Sequence, residues 1–190
     1  MARQGSMVLN LQRSIIRPYQ ASDAESLASC ANNANVARFL RNVFPHPYTL
    51  DDAKQWISIA SNTTPLYNFA IIHPSTGAVM GGIGLKPGDD VHYRTAELGY
   101  YLGEEYWGHG VMSEVVVAFV DWAFSTFDGP DGLQRIYAGM YHTNAGSERV
   151  VIKAGFVFEG RMRRSVYKNG ETLDQLLYSI IREDWEKRGE

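Results

Sequence analysis

Glu104-Glu105-Tyr106-Trp107-Gly108-His109-Gly110-Val111-Met112 joins the end of an apolar strand to the start of a buried helix. Gly108 and Gly110 permit a backbone that turns sharply and lets a ligand come close. The helix that follows offers N–H groups without intrahelical partners and a partial positive charge. Together these make an anion site of the kind that holds phosphate. Strand–helix turns also carry glycine for geometry alone, so an anion cradle and a plain turn both stand as readings. No Gly-Lys-Ser/Thr follows, which removes the P-loop. The dinucleotide fingerprint fails too, because residue 113 is Ser where a third glycine belongs and the preceding strands read as antiparallel hairpins.

Upstream of the turn, Thr95–Leu102 is a strand ended by Gly103. Phe69–Ile72 and Ala78–Leu85 form a hairpin around His73–Gly77. Further back, Thr49 and Asp52 make a capping box, and Ala53, Trp56, Ile57 and Ala60 fall on one face, giving an amphipathic helix over Leu50–Ser61. Ser22 and Glu25 make a similar start for a helix near Asp23–Ala31. Val8–Arg17 reads as the first strand, closed by Pro18.

Downstream, Glu114, Asp121 and Ser125 leave one polar stripe on an otherwise apolar segment, so Gly110–Phe127 is a buried helix despite Val115–Val117. Leu133–Met140 is a strand. Ala145–Ala154 is a helix capped by Asn144 and closed by Gly155. Phe156–Val166 and Thr172–Arg182 are long strands joined at Lys168-Asn169-Gly170. The order is β α α β β β α β α β β, an α+β fold with a mixed sheet of about seven strands.

The chain has 190 residues, 45% hydrophobic and 21% charged, which fits one globular domain and excludes disordered and fibrous classes. A net charge of −3 gives no basic field for nucleic acid or anionic lipid. No apolar run approaches the ~18 residues of a membrane span. Cys30 is the only cysteine, and His46, His73, His92, His109 and His142 show no ligand spacing, so neither a disulfide scaffold nor a metal site is expected. Met1–Ser6 is short and polar with no signal-peptide core. It reads as an expression remnant or unstructured start ahead of a single domain over residues 7–190, and a cytoplasmic protein is expected.

Ala96-Glu97-Leu98-Gly99-Tyr100-Tyr101-Leu102, then Trp107-Gly108-His109-Gly110, Asn144-x-x-Ser147 and Lys153-Ala154-Gly155-Phe156 resemble, in that order, the GNAT acetyltransferase superfamily. Pro47-Tyr48-Thr49, Asp52-Ala53, Trp56-Ile57, Asn169-Gly170-Glu171, Asp174 and Tyr178 point to its RimJ/RimL-type branch. The likeness covers roughly residues 9–185. It implies a mostly antiparallel central sheet with helices on both faces. It also implies acetyl-coenzyme A as donor, with pyrophosphate on the amides of Gly108, His109, Gly110, Val111 and Met112. Glu105 stands where the family usually has Gln or Arg, so only the backbone cradle carries over. His109 either faces phosphate or is a solvated loop histidine.

In such folds the strand bearing Glu97 splays from the next one, and the pantetheine arm fills the gap. Backbone groups of Tyr100, Tyr101 and Leu102 are expected to pair with it, one amide stabilising the oxyanion. Glu97 is the candidate base, working through water, or else it holds a nearby loop. The resemblance puts Asn144 on the coenzyme arm and Ser147 on the sulfur, while capping explains both residues equally well. The tyrosine acid of many relatives is replaced by Val151. Phe44, His46 and Tyr48, with Tyr167, Asp174 and Tyr178, are candidate acceptor contacts. Asp89, Asp90, Glu104 and Glu105 either draw a cationic acceptor or are solvated loop charges.

The expected function is acetyl transfer to a primary amine by direct attack in a ternary complex. No cysteine lies in a matched motif to carry an acyl group. The acceptor is a protein or peptide N-terminal amine, or a small amine. The alternatives are a catalytically weak acyl-CoA-binding module and a domain whose glycine turn is structural only. A homodimer is common in this branch.

Overall fold

The computed structural model describes residues 8–189, so the expected unstructured start at Met1–Ser6 lies outside the described residues. The elements run β1 (Leu9–Asn10), β2 (Ile15–Arg17), α1 (Ala24–Ala31), α2 (Ala34–Ala37), α3 (Leu50–Ser61), β3 (Asn68–Ile72), β4 (Val79–Pro87), β5 (Thr95–Leu102), α4 (Val111–Thr126), β6 (Arg135–Tyr141), α5 (Ala145–Lys153), β7 (Val157–Lys168), β8 (Glu171–Ile181) and α6 (Arg182–Glu186). This is a mixed α+β fold. β1–β2, β2–β3, β3–β4, β6–β8 and β7–β8 pair antiparallel, and β5–β6 pair parallel. The chain divides into two compact units, one holding residues up to Gly84 with Tyr100–Val115, the other Leu85–Gly99 with Val116 onward.

In the first unit the expected single strand Val8–Arg17 is instead a hairpin, with Leu9 opposite Ile16. The Leu11 N–H donates to the Ser14 carbonyl at 2.8 Å, closing a turn over polar Gln12 and Arg13. That break makes eight strands among the described residues where about seven were expected. The start of α1 also differs from the Ser22–Glu25 box. A 3-10 turn over Ala21–Asp23 precedes it, and the Gln20 N–H donates to Asp23 Oδ2 at 2.8 Å. Asp23 is fixed by Arg17, whose Nη1 and Nη2 donate to its two oxygens at 2.7 and 2.8 Å. A bidentate pair with a buried carboxylate outweighs an exposed serine cap.

The second expected box is present: the Thr49 N–H donates to Asp52 Oδ2 at 2.8 Å, and the Asp52 N–H to Thr49 Oγ1 at 3.2 Å. Four-residue α2 was too short to show a period. Its signal is Asn33, whose Oδ1 accepts from the Asn35 and Val36 amides. Leu27 and Ala31 of α1 pack with Ala53, Ile57 and Ala60 of α3 against Ala70 and Ile72 of β3. Full burial of a side chain such as Leu27 contributes roughly 1.5–3 kcal/mol.

In the second unit β6 pairs with β8 from Arg135–Ile181 to Tyr141–Gln175, and β8 pairs with β7. Asn169 at φ 51° and Gly170 at φ 85° make the expected tight turn, both in the left-handed region. The expected strand Thr172–Arg182 stops at Ile181, because Arg182 is drawn elsewhere. Its Nη2 donates to the Phe124 and Phe127 carbonyls at 2.9 and 3.1 Å, and its Nε to Leu133 O at 2.9 Å. Of these, Phe124 O is among the last carbonyls of α4, which lack intrahelical donors, and Phe127 O also accepts the Leu133 N–H at 2.8 Å. Trp185 stacks on Phe124 at 5.4 Å and donates to Asp121 at 2.8 Å, which fixes the unexpected α6. Val116, Phe119, Val120, Ala123 and Phe124 are completely buried, as a buried α4 requires. No helix among the described residues is long and apolar enough to cross a membrane.

Candidate functional site

The glycine turn lies in the first unit. A 3-10 turn, Glu104–Tyr106, leads out of β5, and Trp107 Nε1 donates back to the Leu102 carbonyl at 2.7 Å. This staple commits a backbone group that the sequence reading left for a ligand. Glu104 is also occupied: its carboxylate accepts from Asn33 and Asn35 at 2.8 Å each. Those amides, Asn35 foremost, hold its carboxyl pKa below the ordinary carboxylate range. It anchors the turn to α2 rather than waiting for a cation.

Gly108 and Gly110 both adopt φ 78°, the left-handed region that side chains rarely enter. A Cβ added at either would meet nothing within 4 Å. The turn therefore needs glycine for its backbone angles, and its outer face is open. Val111 begins α4, and its side chain and that of Met112 are buried, so only their backbones are presented. The first amides of an α-helix have no internal acceptor, and an open glycine turn before them is a place where an anion can be held.

Two residues the sequence reading missed lie beside it. Arg13 from the β1–β2 turn and His73 from the β3–β4 turn join Met80, Glu105, Tyr106, His109 and Val111 around a cleft of about 520 Å³. His73 Nδ1 accepts from the Ser75 and Thr76 amides at 3.2 and 3.4 Å. Exposed His109 thus borders a cleft rather than bulk solvent alone.

The same unit gathers three candidate residues into one aromatic group. Phe44 lies 5.0 Å from Tyr48 and 5.4 Å from Tyr101, ring centre to ring centre. Tyr101 therefore turns its side chain into the packing of α1 and α3. Burial, then neighbouring Tyr19, push its hydroxyl well above the usual range. Burial takes Tyr48 up to about 12. Neither hydroxyl is ionised near neutral pH. His46 stands apart and exposed. Tyr100 is half-buried on β5.

The second unit holds the other candidates. Glu97 is half-buried on β5 opposite Tyr137, the last pair of a three-pair ladder with β6 that starts at Thr95–Arg135. Asn144 caps α5, its Oδ1 accepting the Ser147 N–H at 3.1 Å. Ser147 is half-buried one turn into that helix. Tyr178, expected at the acceptor, is buried, and its hydroxyl donates to Glu148 Oε1 at 2.6 Å. That carboxylate raises the Tyr178 hydroxyl to about 12. Glu148 carried no spacing signal; only its contact with β8 reveals it.

Asp174 is likewise committed. It accepts the Arg164 N–H at 2.7 Å and donation from Arg161 Nε at 2.5 Å, which together hold its carboxyl pKa below the usual carboxylate range. Its own N–H donates to His142 Nδ1 at 3.2 Å. Tyr167 is 71% exposed on β7. No group of three metal-ligating side chains occurs among the described residues. Asn144→Ala is expected to lower stability by about 1 kcal/mol, seen as a lower Tm, with Asn144→Asp restoring the cap. An unchanged Tm in Asn144→Ala would remove capping from its role.

The model of the Acetyltransferase (GNAT) domain matches residues 13–157. An uncharacterized N-acetyltransferase of Bacillus subtilis, YoaA, is 32% identical over 183 residues, covering 92% of this chain and 97% of that protein. The crystal structure of ribosomal-protein-S5-alanine acetyltransferase from Vibrio fischeri superposes with TM-score 0.79 at 25% identity, covering 94% of this chain and 98% of that one. RimL, a ribosomal L7/L12 α-N-protein acetyltransferase solved with coenzyme A, gives TM-score 0.78 at 18% identity over 94% of this chain and 99% of its own, a likeness of fold.

Proposed function

Because the chain belongs to the GNAT acetyltransferase family, we propose that this N-acetyltransferase takes its acetyl group from acetyl-coenzyme A and passes it directly to a primary amine. The observation that carries this reading is the open, left-handed glycine pair ahead of α4. Pyrophosphate sits on the amides of Gly108, His109, Gly110, Val111 and Met112, where helix polarity favours negative charge. Backbone groups of Tyr100 and Tyr101, with the Leu102 N–H, hold the pantetheine arm. One such N–H opposes the charge that develops on the thioester oxygen as the amine attacks.

Glu97 accepts the ammonium proton through water. Asn144 contacts the arm, and the Ser147 hydroxyl hydrogen-bonds the departing sulfur. Phe44, His46, Tyr48, Tyr167, Asp174 and Tyr178 are the acceptor contacts of this reading. Cys30 is buried, and burial followed by Glu105 pushes its thiol up to about 12, which supports direct attack over an acyl-cysteine. The acceptor is a protein or peptide N-terminal amine before a small amine. Likeness to the S5-alanine enzyme supports that order. Residues 7–190 act as one acetyltransferase domain.

The test is calorimetric titration with acetyl-CoA and with free CoA, then thiol release over a panel of peptides, polyamines and amino sugars. Micromolar binding, about 8 kcal/mol, followed by thiol release is expected. Absence of binding overturns the cradle. Binding without thiol release on any amine makes the chain an acyl-CoA-binding module instead. Ser147→Ala is expected to slow turnover about tenfold with acetyl-CoA affinity kept, in the range of one lost hydrogen bond to a charged group. An unchanged rate leaves Ser147 a helix residue only.

A further inference from the structure

β7 is twelve residues long, and it ends the strand order of its sheet, with β8 as its neighbour. Almost all of it is exposed, including apolar Val157 at 58%, Phe158 at 52% and Met162 at 49%. An open edge with apolar side chains offers unpaired N–H and C=O groups to a further strand. Its middle is bulged. Met162 pairs with Gln175 and Val166 with Leu173, so Arg163, Arg164 and Ser165 together oppose Asp174. Asp174 holds that bulge through the Arg164 N–H, with Arg164 at φ 53°. Arg161 is paired with Asp174, whereas the Arg163 and Arg164 guanidiniums are exposed and meet no carboxylate among the described residues.

We propose that the β7 edge docks an extended acidic segment of a partner protein. The segment adds as a strand, its carboxylates against Arg163 and Arg164 and its backbone along the free edge. The charges select this occupant. A second copy pairing antiparallel about the bulge would set arginines against arginines, which is destabilising. The same side chains attract carboxylates and make a bidentate fit to them. Those charges also keep the edge from pairing with itself. This docking is independent of which amine receives the acetyl group.

The probe is a dye-labelled peptide of alternating glutamate and valine, with alternating lysine and valine as comparison, read by fluorescence anisotropy on the full chain. The acidic peptide is expected to bind, the basic one not, and salt to weaken binding. Arg163→Glu with Arg164→Glu is expected to cost at least about tenfold in affinity. Arg164→Gly removes one guanidinium while relieving the left-handed backbone, and is expected to weaken binding without loss of fold. N-methylation of alternate peptide amides is expected to weaken binding by removing ladder donors. Acetyl-CoA titration of each variant is expected to match the unaltered chain, which separates this proposal from the coenzyme reading. The proposal is overturned by no binding of the acidic peptide, by equal binding of both peptides, or by an unchanged Kd in the double variant. Tighter binding of a single-stranded oligonucleotide, or a dimer in sedimentation that the double variant alters, overturns it in favour of those occupants.

Discussion

Gly110→Glu is expected to lower acetyl-CoA affinity by about a thousandfold, ~4 kcal/mol, while the protein stays folded. Two effects of the substitution act in different places. Residue 110 sits at φ 78°, and a side chain in that region costs roughly 1–3 kcal/mol of backbone strain. No clash adds to this, since a Cβ there meets nothing within 4 Å. A carboxylate beside the first turn of α4 also offsets part of the strain, because negative charge is favourable at a helix N-terminus. Stability therefore falls little. Binding falls steeply, because the new carboxylate occupies the position where pyrophosphate is proposed and repels what remains of it. Gly110→Ala isolates the strain and is expected to keep affinity within about tenfold. Calorimetry on both variants, with Tm as a check on folding, separates the two effects. Gly110→Glu binding acetyl-CoA as well as Gly110→Ala would move the cradle elsewhere.

What could be read from the sequence was what local chemistry decides. Asn169-Gly170 had to turn, Thr49 and Asp52 had to cap, and the single polar stripe on Val111–Thr126 had to leave a buried helix. The failures share a cause: partners distant in sequence. Ser22 looked like a cap until Arg17 claimed Asp23. Arg182 looked like strand until the carbonyls of Phe124 and Phe127 at the end of α4 drew it away. A bulge at Arg163–Ser165 has no local signature, because a single aspartate across the hairpin sets it.

The candidate site divides in the same way. Its backbone part was legible, since glycines and a helix start announce themselves. Its side-chain part was less so. Tyr101 and Tyr178 look alike as strand tyrosines, yet one turns into an aromatic group with Phe44 and the other into Glu148. Arg13 and His73 border the cleft from turns that nothing in the sequence links to residue 109. Pattern finds the glycine turn; only packing finds its neighbours.

Glu97→Gln is expected to reduce kcat/KM for an amine acceptor by about a hundredfold near neutral pH, within the usual worth of one general base. Glu97 is half-buried opposite Tyr137, where the pairing of β5 with β6 ends. Glutamine keeps its size and one acceptor oxygen but cannot take a proton. The loss should therefore be kinetic and depend on pH. As pH rises, free amine becomes abundant and the need for a base falls, so the variant should recover toward the unaltered enzyme. At low pH the gap should widen. Acetyl-CoA affinity and Tm should stay unchanged, because the variant alters neither the glycine turn nor the volume of the strand. A rate deficit constant across the pH range would assign Glu97 to positioning, and a fall in Tm of the same size in substrate-free protein would assign it to packing. An unaltered rate at every pH would remove it from the mechanism and leave deprotonation of the amine to solvent.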